Sequence, residues 1–167
     1  ITEIKEFTYK HFIDSIALEK SVKDLGSKNY NIADMGTGAG FPGIPLAIVY
    51  PNLNLTLIDS LNKRIKFIKE TCEILDIKNV NAIHSRAEDI DRNKDYREKF
   101  DLCVSRAVAN LASLSEYCLP LVKIGGSFIS YKSKEYEVEI AEAQKAIKVL
   151  GGETGNIEKF ELGEYGE

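Results

Sequence analysis

The pattern of apolar and polar positions changes period along the chain and predicts an alternation of helices and strands. In residues 1–25 the apolar side chains recur at helical spacing, which predicts a helix. Its predicted apolar face consists of Phe7, Phe12, Ile13, Ile16 and Ala17. Short apolar runs then predict strands at residues 29–35, 53–59, 80–84, 100–105 and 124–131. Longer amphipathic segments predict helices at residues 44–50, 62–75, 110–121 and 135–150.

Strands that alternate with helices predict βαβ units, and therefore a single α/β domain over residues 1–167. We expect a Rossmann-like fold in which a mainly parallel twisted sheet is covered by helices on both faces. Residues 1–28 form the predicted N-terminal helical extension, and residues 29–167 form the core. The polar segment 89–99 is predicted to be a surface helix or loop, and residues 160–162 to begin a last strand.

Composition narrows the classes of protein that this chain can belong to. The net charge of -4 excludes a uniformly basic nucleic-acid binder but allows a local basic face. No apolar run approaches the roughly 20 residues that cross a bilayer, so we expect no membrane association. Cys72, Cys103 and Cys118 show no zinc-binding spacing, which predicts buried, reduced thiols in a cytoplasmic protein without a metal site. Because the chain starts at Ile1 without Met, we expect a longer natural chain.

A glycine-rich loop after the first predicted strand is typical of a cofactor site. The strand ends at Asp34 and Met35, and Gly36, Gly38 and Gly40 follow before the next helix. Glycines at these positions permit positive φ and a close approach of ligand to backbone. The next strand ends at Asp59, 23 residues after Gly36, a position suited to both hydroxyls of an adenosine ribose.

Two cofactors fit this loop. The glycines Gly38, Gly40 and Gly43 have the spacing of a dinucleotide site, which an NAD-dependent oxidoreductase would use. Asp34 lies two residues before Gly36, where a carboxylate is awkward beside a pyrophosphate but suits the cationic S-adenosylmethionine. The carboxylate therefore favours a methyltransferase, and the oxidoreductase remains the alternative.

The loops after the third and fourth predicted strands supply further candidates. Ala87 and Glu88 are expected beside the adenine ring, with Arg86 turned outward toward substrate or phosphate. Arg106 ends the fourth strand at the cofactor cleft, the usual reaction position in open α/β sheets. Lys132 ends the fifth strand on the same rim. The full set of candidates for a basic RNA-binding patch is Lys10, Lys63, Arg64, Arg86, Arg106, Lys132 and Lys134.

The motifs together resemble those of the RsmG (GidB) methyltransferase family. The run DMGTGAGFPGIPLA at 34–47 is similar to the family's cofactor loop. The stretches KHFIDS at 10–15, SRAE at 85–88 and VSRAVA at 104–109 follow in the family's order, and the resemblance covers nearly the whole chain. It implies the S-adenosylmethionine-dependent methyltransferase fold. It also implies methylation of a guanine at N7 in bacterial 16S rRNA, guanine 527 in the usual rRNA numbering.

The resemblance also implies roles for individual residues. Gly36, Phe41, Ala87, Glu88 and Arg106 would line the cofactor site. Arg86, Arg106 and Lys132 would face the RNA or the reacting base. The implied partner is 16S rRNA or the small ribosomal subunit, and we expect a cytoplasmic monomer. The family has a longer N-terminal region and a final strand that this chain lacks, and a non-catalytic RNA-binding module of the same fold remains a further alternative.

Overall fold

The computed structural model describes residues 4–106, 109–132 and 136–162. Its strands are β1 (Asn31–Met35), β2 (Asn54–Asp59), β3 (Val80–His84), β4 (Phe100–Arg106) and β5 (Val122–Tyr131). The N-terminal part holds α1 (Ile4–Phe7), a π-helical stretch (Thr8–Ile13), α2 (Asp14–Ile16) and α3 (Leu18–Ser21). The remaining helices are α4 (Gly43–Val49), α5 (Asn62–Ile74), α6 (Ala87–Ile90), α7 (Leu111–Cys118) and α8 (Tyr136–Val149), with a 3-10 turn at Leu119–Leu121.

The five strands form one parallel sheet in the order β3-β2-β1-β4-β5. This confirms the predicted parallel α/β class. The chain reverses its direction of strand addition between β1 and β4, and such a switch point opens a crevice at the carboxyl ends of the strands. In the register Asp34 lies beside Val104 of β4, and Asp59 lies beside His84 of β3. The acidic strand ends therefore meet at one edge of the sheet.

Helices cover both faces of the sheet, as predicted. On one face the core joins α4 and α5 to the strands, through Leu46, Ile65 and Ile68 against Leu55 and Leu57. On the other face α6 and α7 pack against the strands through a second cluster. Its buried members are Ala33, Met35, Ile58, Ile90, Phe100, Cys103, Cys118, Leu121 and Val122. The central strands β1 and β4 are therefore buried on both faces, whereas the outer strands β3 and β5 stay partly exposed.

The N-terminal segment is helical, but not in the way that its apolar spacing predicts. The π-helical stretch Thr8–Ile13 interrupts the α-helix, and a turn at Ala17 separates α2 from α3. Leu18 is buried in the core, whereas Phe7, Phe12 and Ile13 keep 36–40% of their surface exposed. The predicted apolar face is therefore only partly buried, because its rings pack on the loop residue Phe41 and not on the sheet.

The structure corrects several boundaries of the predicted elements. Helix α7 ends at Cys118, since Pro120 lacks the amide hydrogen that continues an α-helix, and β5 begins earlier than predicted. Within the segment 89–99 the short helix α6 gives way to turns, as expected of a surface segment. The predicted strand at 160–162 is wrong, because these residues form no strand; residues 163–167 lie outside the described part.

The cysteines agree in part with the prediction of buried thiols. Cys103 and Cys118 are buried and Cys72 is half-buried, and all three are free. Burial raises the pKa of the Cys103 thiol, which disfavours a thiolate nucleophile. Among the described residues no helix is long and apolar enough to cross a membrane. The same residues contain no group of three or more His, Cys, Asp or Glu side chains arranged to hold a metal ion.

Gly126 lies where the β4–β5 register is irregular, and it leaves no room for a side chain. A Cβ at this position would lie 2.5 Å from the carbonyl oxygen of Asp101 and 2.6 Å from Cγ1 of Val122. We therefore expect Gly126→Ala to lower the free energy of unfolding by about 1–3 kcal/mol, the usual cost of overpacking, in urea titrations. As a control, Gly155→Ala has no atom within 4 Å of its new Cβ and should change stability by less than about 0.5 kcal/mol. Equal effects would contradict this packing argument.

Candidate functional site

The glycine loop between β1 and α4 adopts the backbone conformation that its sequence predicts. Gly36, Gly38 and Gly40 have φ values of 70°, 62° and 98°, in the region that L side chains rarely adopt. The amides of Gly36 and Thr37 both donate to the carbonyl oxygen of Ile58, at 2.9 and 3.1 Å. The loop is thereby attached to the end of β2 and lies at the carboxyl edge of the sheet.

Asp34 is fully buried and holds both ends of the loop. Its Oδ2 accepts hydrogen bonds from the Thr37 hydroxyl at 2.7 Å and from the Gly43 amide at 2.9 Å. Burial raises the pKa of this carboxyl to about 7, and the two hydrogen bonds oppose the rise. Its Oδ1 is buried without a hydrogen-bond partner among the described residues. Oδ2 therefore binds the loop and Oδ1 has no partner. The expected contact of Asp34 with a cationic ligand stays a prediction, and Oδ1 is the oxygen available for it.

Asp59 connects the loop to the start of α5. Its Oδ2 accepts from the Gly38 amide at 2.9 Å and from Nη1 of Arg64 at 3.2 Å, and its Oδ1 accepts from the Leu61 amide at 2.9 Å. A carboxylate offers about four acceptor positions, so three of them are already used. One acceptor position of Asp59 is therefore left for a ligand in this conformation, whereas the predicted contact with both ribose hydroxyls needs two. The sequence suggested no role for Arg64 on Asp59.

The β3–α6 junction, which leads into the predicted adenine-binding residues, is attached to Asp59. The Ser85 amide donates to the carbonyl oxygen of Asp59 at 3.1 Å, which ties this junction to the end of β2. Glu88 is exposed and accepts a hydrogen bond from the Tyr117 hydroxyl at 3.3 Å. Arg86 is exposed, and within the described residues its guanidinium makes no hydrogen bond or ion pair. The roles that the sequence suggested for Ala87 and Glu88 stay predictions.

The guanidinium of Arg106 is hydrogen-bonded to three groups of the N-terminal segment. Its Nη1 lies 2.8 Å from Oδ2 of Asp14 and 3.2 Å from the carbonyl oxygen of Lys10, and its Nη2 lies 3.1 Å from Nδ1 of His11. The guanidinium carbon lies 5.4 Å from the centre of the Phe41 ring. The structure therefore brings together Arg106 and Phe41, both predicted at the cofactor site. It adds His11 and Asp14, for which the sequence offered only the KHFIDS motif.

The other basic candidates are distributed around the edge and are engaged to different degrees. Lys132 pairs with Glu139 at 2.6 Å and donates to the carbonyl oxygen of Ala109 at 2.9 Å, so its ammonium is held inside the protein. Arg86 follows β3 and Arg106 ends β4, and because β2 and β1 lie between these strands, the two strand ends are about 14 Å apart at the usual strand spacing. They flank the glycine loop from opposite sides. Lys134 lies outside the described residues.

The comparison with protein families decides the assignment of this chain. The GidB family model, described as rRNA small subunit methyltransferase G, matches residues 1–165. The chain belongs to this family. Ribosomal RNA small subunit methyltransferase G of Lachnoclostridium phytofermentans is 53% identical over 162 residues, which cover 97% of this chain and 66% of the relative. The protein of the same name from Desulforamulus reducens is 51% identical, with 97% and 67% covered. The chain thus spans about two thirds of the length of these relatives.

Solved structures of low sequence identity share the fold. An S-adenosylmethionine-dependent O-methyltransferase from Thermotoga maritima superimposes with a TM-score of 0.63 at 16% identity, covering 82% of this chain and 49% of that protein. A protein from Methanococcus maripaludis, described as a putative methyltransferase of the same class, gives 0.59 at 18% identity, covering 85% and 68%. The Rossmann-like class is confirmed, and membership of the GidB family removes the nicotinamide-dependent alternative.

The raised pKa of Asp34 has a consequence for stability that can be measured. The folded protein keeps the Asp34 proton up to about pH 7, whereas the unfolded chain loses it near 3.8. The contribution of Asp34 to the free energy of unfolding is therefore fully present below pH 3.8 and decreases as the pH rises toward 7. We expect Asp34→Asn to remove this decline, which amounts to at most about 4 kcal/mol.

Urea unfolding of both proteins at several pH values between 4 and 8 provides the measurement. The matched control is Asp95→Asn, which alters an exposed carboxylate in the 89–99 segment and should leave the pH profile unchanged. A profile that Asp34→Asn leaves as steep as that of the wild type would refute the burial argument.

Proposed function

We propose that this chain forms the catalytic part of an S-adenosylmethionine-dependent methyltransferase that acts on N7 of guanine 527 in bacterial 16S rRNA. One observation carries the proposal: a positive-φ glycine loop is bonded to two buried carboxylates at the switch point of a parallel sheet, in a chain of the GidB family. The relatives' name supports small-subunit rRNA as the substrate. The sequence resemblance supports the guanine and its N7 atom.

The residues at the loop fit S-adenosylmethionine. A Cβ built on Gly38 would meet no atom within 4 Å, so there is free space directly over the loop. The carboxylate of Asp59 favours a cationic ligand there, and such a ligand would in turn favour the ionised form of the buried Asp34. We assign the methionine end to the loop residues Gly36, Gly38 and Gly40, and we assign the adenosine end to Asp59, Ala87 and Glu88. Phe41 and Arg106 then lie on the side of the reacting methyl group.

The chemistry places modest demands on the side chains. When bound, S-adenosylmethionine supplies a methyl group whose bond to sulfur breaks with its electron pair as the new bond to N7 forms. Guanine N7 carries a free lone pair, so the site needs no general base, and His11 has its Nδ1 engaged with Arg106. The task of the protein is to align the two reactants. Arg106 is held as a fixed charge at the edge of the site, where it is suited to contact guanine O6 or a phosphate and not N7 itself.

Binding of RNA to this acidic chain must use a local patch. Of the candidate residues, Lys10 is paired with Glu6, Lys132 with Glu139 and Arg106 with Asp14. Arg86 and Lys63 are exposed, and neither makes an ion pair among the described residues, so these two are the most available to phosphates. Lys63 follows β2, which ends at Asp59, and Arg86 follows β3, whose last residue lies beside Asp59 in the register. We therefore place the RNA backbone on this side of the glycine loop, with the target base splayed toward Arg106.

The direct test is methyl transfer to rRNA that lacks the modification. Full-length protein is incubated with S-adenosylmethionine and either free 16S rRNA or small subunits, and nucleosides and RNA fragments are analysed by mass spectrometry. We expect one added methyl group, located at guanine 527. Because methylation at N7 makes the base reducible and its glycosidic bond labile, borohydride reduction followed by aniline should cleave the strand at that nucleotide. Methylation elsewhere would overturn the assignment, and binding of RNA without transfer would favour the non-catalytic module.

The cofactor assignment is tested separately by filling the space over the loop. Gly38→Asn places a side chain there, and asparagine tolerates the positive φ of 62°. We expect S-adenosylhomocysteine to bind at least about tenfold more weakly, a loss of roughly 1.4 kcal/mol, in calorimetric titrations.

The matched control is Gly151→Asn. Gly151 also has a positive φ, 80°, and a Cβ at this position would meet no atom within 4 Å, but the residue follows α8 and lies outside the site. If both variants bind the ligand as the wild type does, the glycine loop is not the cofactor site.

A further inference from the structure

The N-terminal segment attaches to the core at the carboxyl ends of two neighbouring strands. Arg106 at the end of β4 binds Asp14, His11 and the carbonyl oxygen of Lys10. Tyr131 at the end of β5 donates to the carbonyl oxygen of Ser15 at 2.8 Å. The Arg106 side chain is only 16% exposed. The segment therefore fixes the orientation of the one arginine that the proposed function places at the reacting atoms.

The bond between Arg106 and His11 is possible in only one protonation state. An arginine has no acceptor, so Nδ1 of His11 must be the acceptor and the ring must carry its proton on Nε2. Protonation of Nδ1 would remove the acceptor and place two cations 3.1 Å apart. Burial, followed by the Arg106 charge, lowers the pKa of His11, while Asp14 opposes the change. The charged groups that face His11 are Arg106, Asp14 and Lys10, and the Phe41 ring packs on its other side.

The backbone of the segment is unusual at the same point. The π-helical stretch Thr8–Ile13 contains Lys10 and His11, and it ends immediately before Asp14. In a π-helix the backbone hydrogen bonds join residues i and i+5. Such stretches are rare in proteins, and those that occur are often at functional sites. Here the stretch presents a carbonyl oxygen and an imidazole nitrogen to the guanidinium, and Asp14 directly after it presents a carboxylate. An uninterrupted α-helix, which the apolar spacing predicted, would space these groups differently.

We propose that Asp14 and His11 are positioning residues that hold Arg106 for methyl transfer, and that the transfer requires neutral His11. This inference rests on the proposed function, which gives Arg106 its place beside the reacting base. Asp14 supplies the charge that keeps the guanidinium at the cleft. His11 supplies an acceptor that is lost on protonation, so turnover decreases at acid pH.

Single-turnover rates at saturating rRNA and cofactor test the positioning role in the full-length protein. We expect Asp14→Ala to lower the rate roughly 10–100-fold, the scale of a misplaced reacting group, and Asp14→Asn to lose less because it keeps an acceptor oxygen. Tyr131→Phe is the matched control, since it removes a hydrogen bond to the same segment without touching Arg106. An equal loss in Tyr131→Phe and Asp14→Ala would mean that the segment acts only through stability, and would overturn the proposal.

The pH profile tests the histidine. The wild-type rate should decrease below the ordinary histidine pKa of 6.5, because the His11 pKa is lowered. His11→Asn offers an amide oxygen in place of Nδ1 and does not titrate, so its rate should lack this acid limb. Asp34, which also titrates near neutrality, is unchanged in both proteins and cancels in the comparison. An acid limb in His11→Asn with the same midpoint and depth as that of the wild type would refute the role of His11.

A readout without catalysis separates this inference from the proposed function. NMR titration follows His11, identified by its absence in His11→Asn, with His84 as the internal reference at the end of β3. The pKa of His11 should rise in Arg106→Ala and decrease further in Asp14→Ala, while His84 stays constant. If the wild type transfers no methyl group, the proposed function is wrong, and these titrations still decide whether the three residues are coupled. An unchanged His11 in both variants would overturn the coupling.

Discussion

Two buried carboxylates hold the glycine loop, and the rest of the site depends on them. Asp34 binds the loop at Thr37 and Gly43, and Asp59 binds it at Gly38. Glycine loses more conformational freedom on folding than any other residue, so a loop with three positive-φ glycines needs contacts that fix its conformation. The carboxylates provide these contacts through hydrogen bonds to amides and a hydroxyl. Burial raises the pKa of the Asp34 carboxyl, which means that its charged form is destabilising in the folded protein. The same carboxyl holds the loop in a preformed conformation.

The strand order explains why these groups face the same ligand. Strand β1 lies between β2 and β4, so the loop that follows β1 has Asp59 on one side and Arg106 on the other. Asp34 cannot leave this arrangement, because its neighbours in the register are Leu57 and Val104. A Cβ at Gly43 would lie 2.8 Å from Oδ2 of Asp34, which makes glycine necessary where α4 approaches the strand. The strand order thus creates the crevice, and the close approach of α4 to β1 holds the glycine loop in it.

The local features of this site could be predicted from the sequence, and its long-range contacts could not. The alternating periods gave the parallel sheet, the glycine spacing gave the loop, and the chain distance from Gly36 placed Asp59 at the next strand end. The hydrogen bonding of Arg106 depends on Asp14, which is 92 residues away in sequence, and no periodicity encodes such a pair. The donors that occupy Asp59 come from a loop and a helix start whose geometry exists only in the folded chain. The π-helical stretch likewise has no signature in apolar spacing.

The internal ion pairs change what the charge of this protein implies for RNA binding. Each of Lys10, Arg106 and Lys132 has a carboxylate within 2.8 Å, so only part of the predicted basic patch can release counterions from phosphates. The salt dependence of binding scales with the number of phosphates that are neutralised, about 0.9 per contact on a duplex and less on a single strand. A patch reduced to residues such as Arg86 and Lys63 predicts a shallow salt dependence and weak nonspecific binding. Under the proposed function, recognition would then come from the shape of a folded RNA or subunit surface that presents one unpaired base to the cleft.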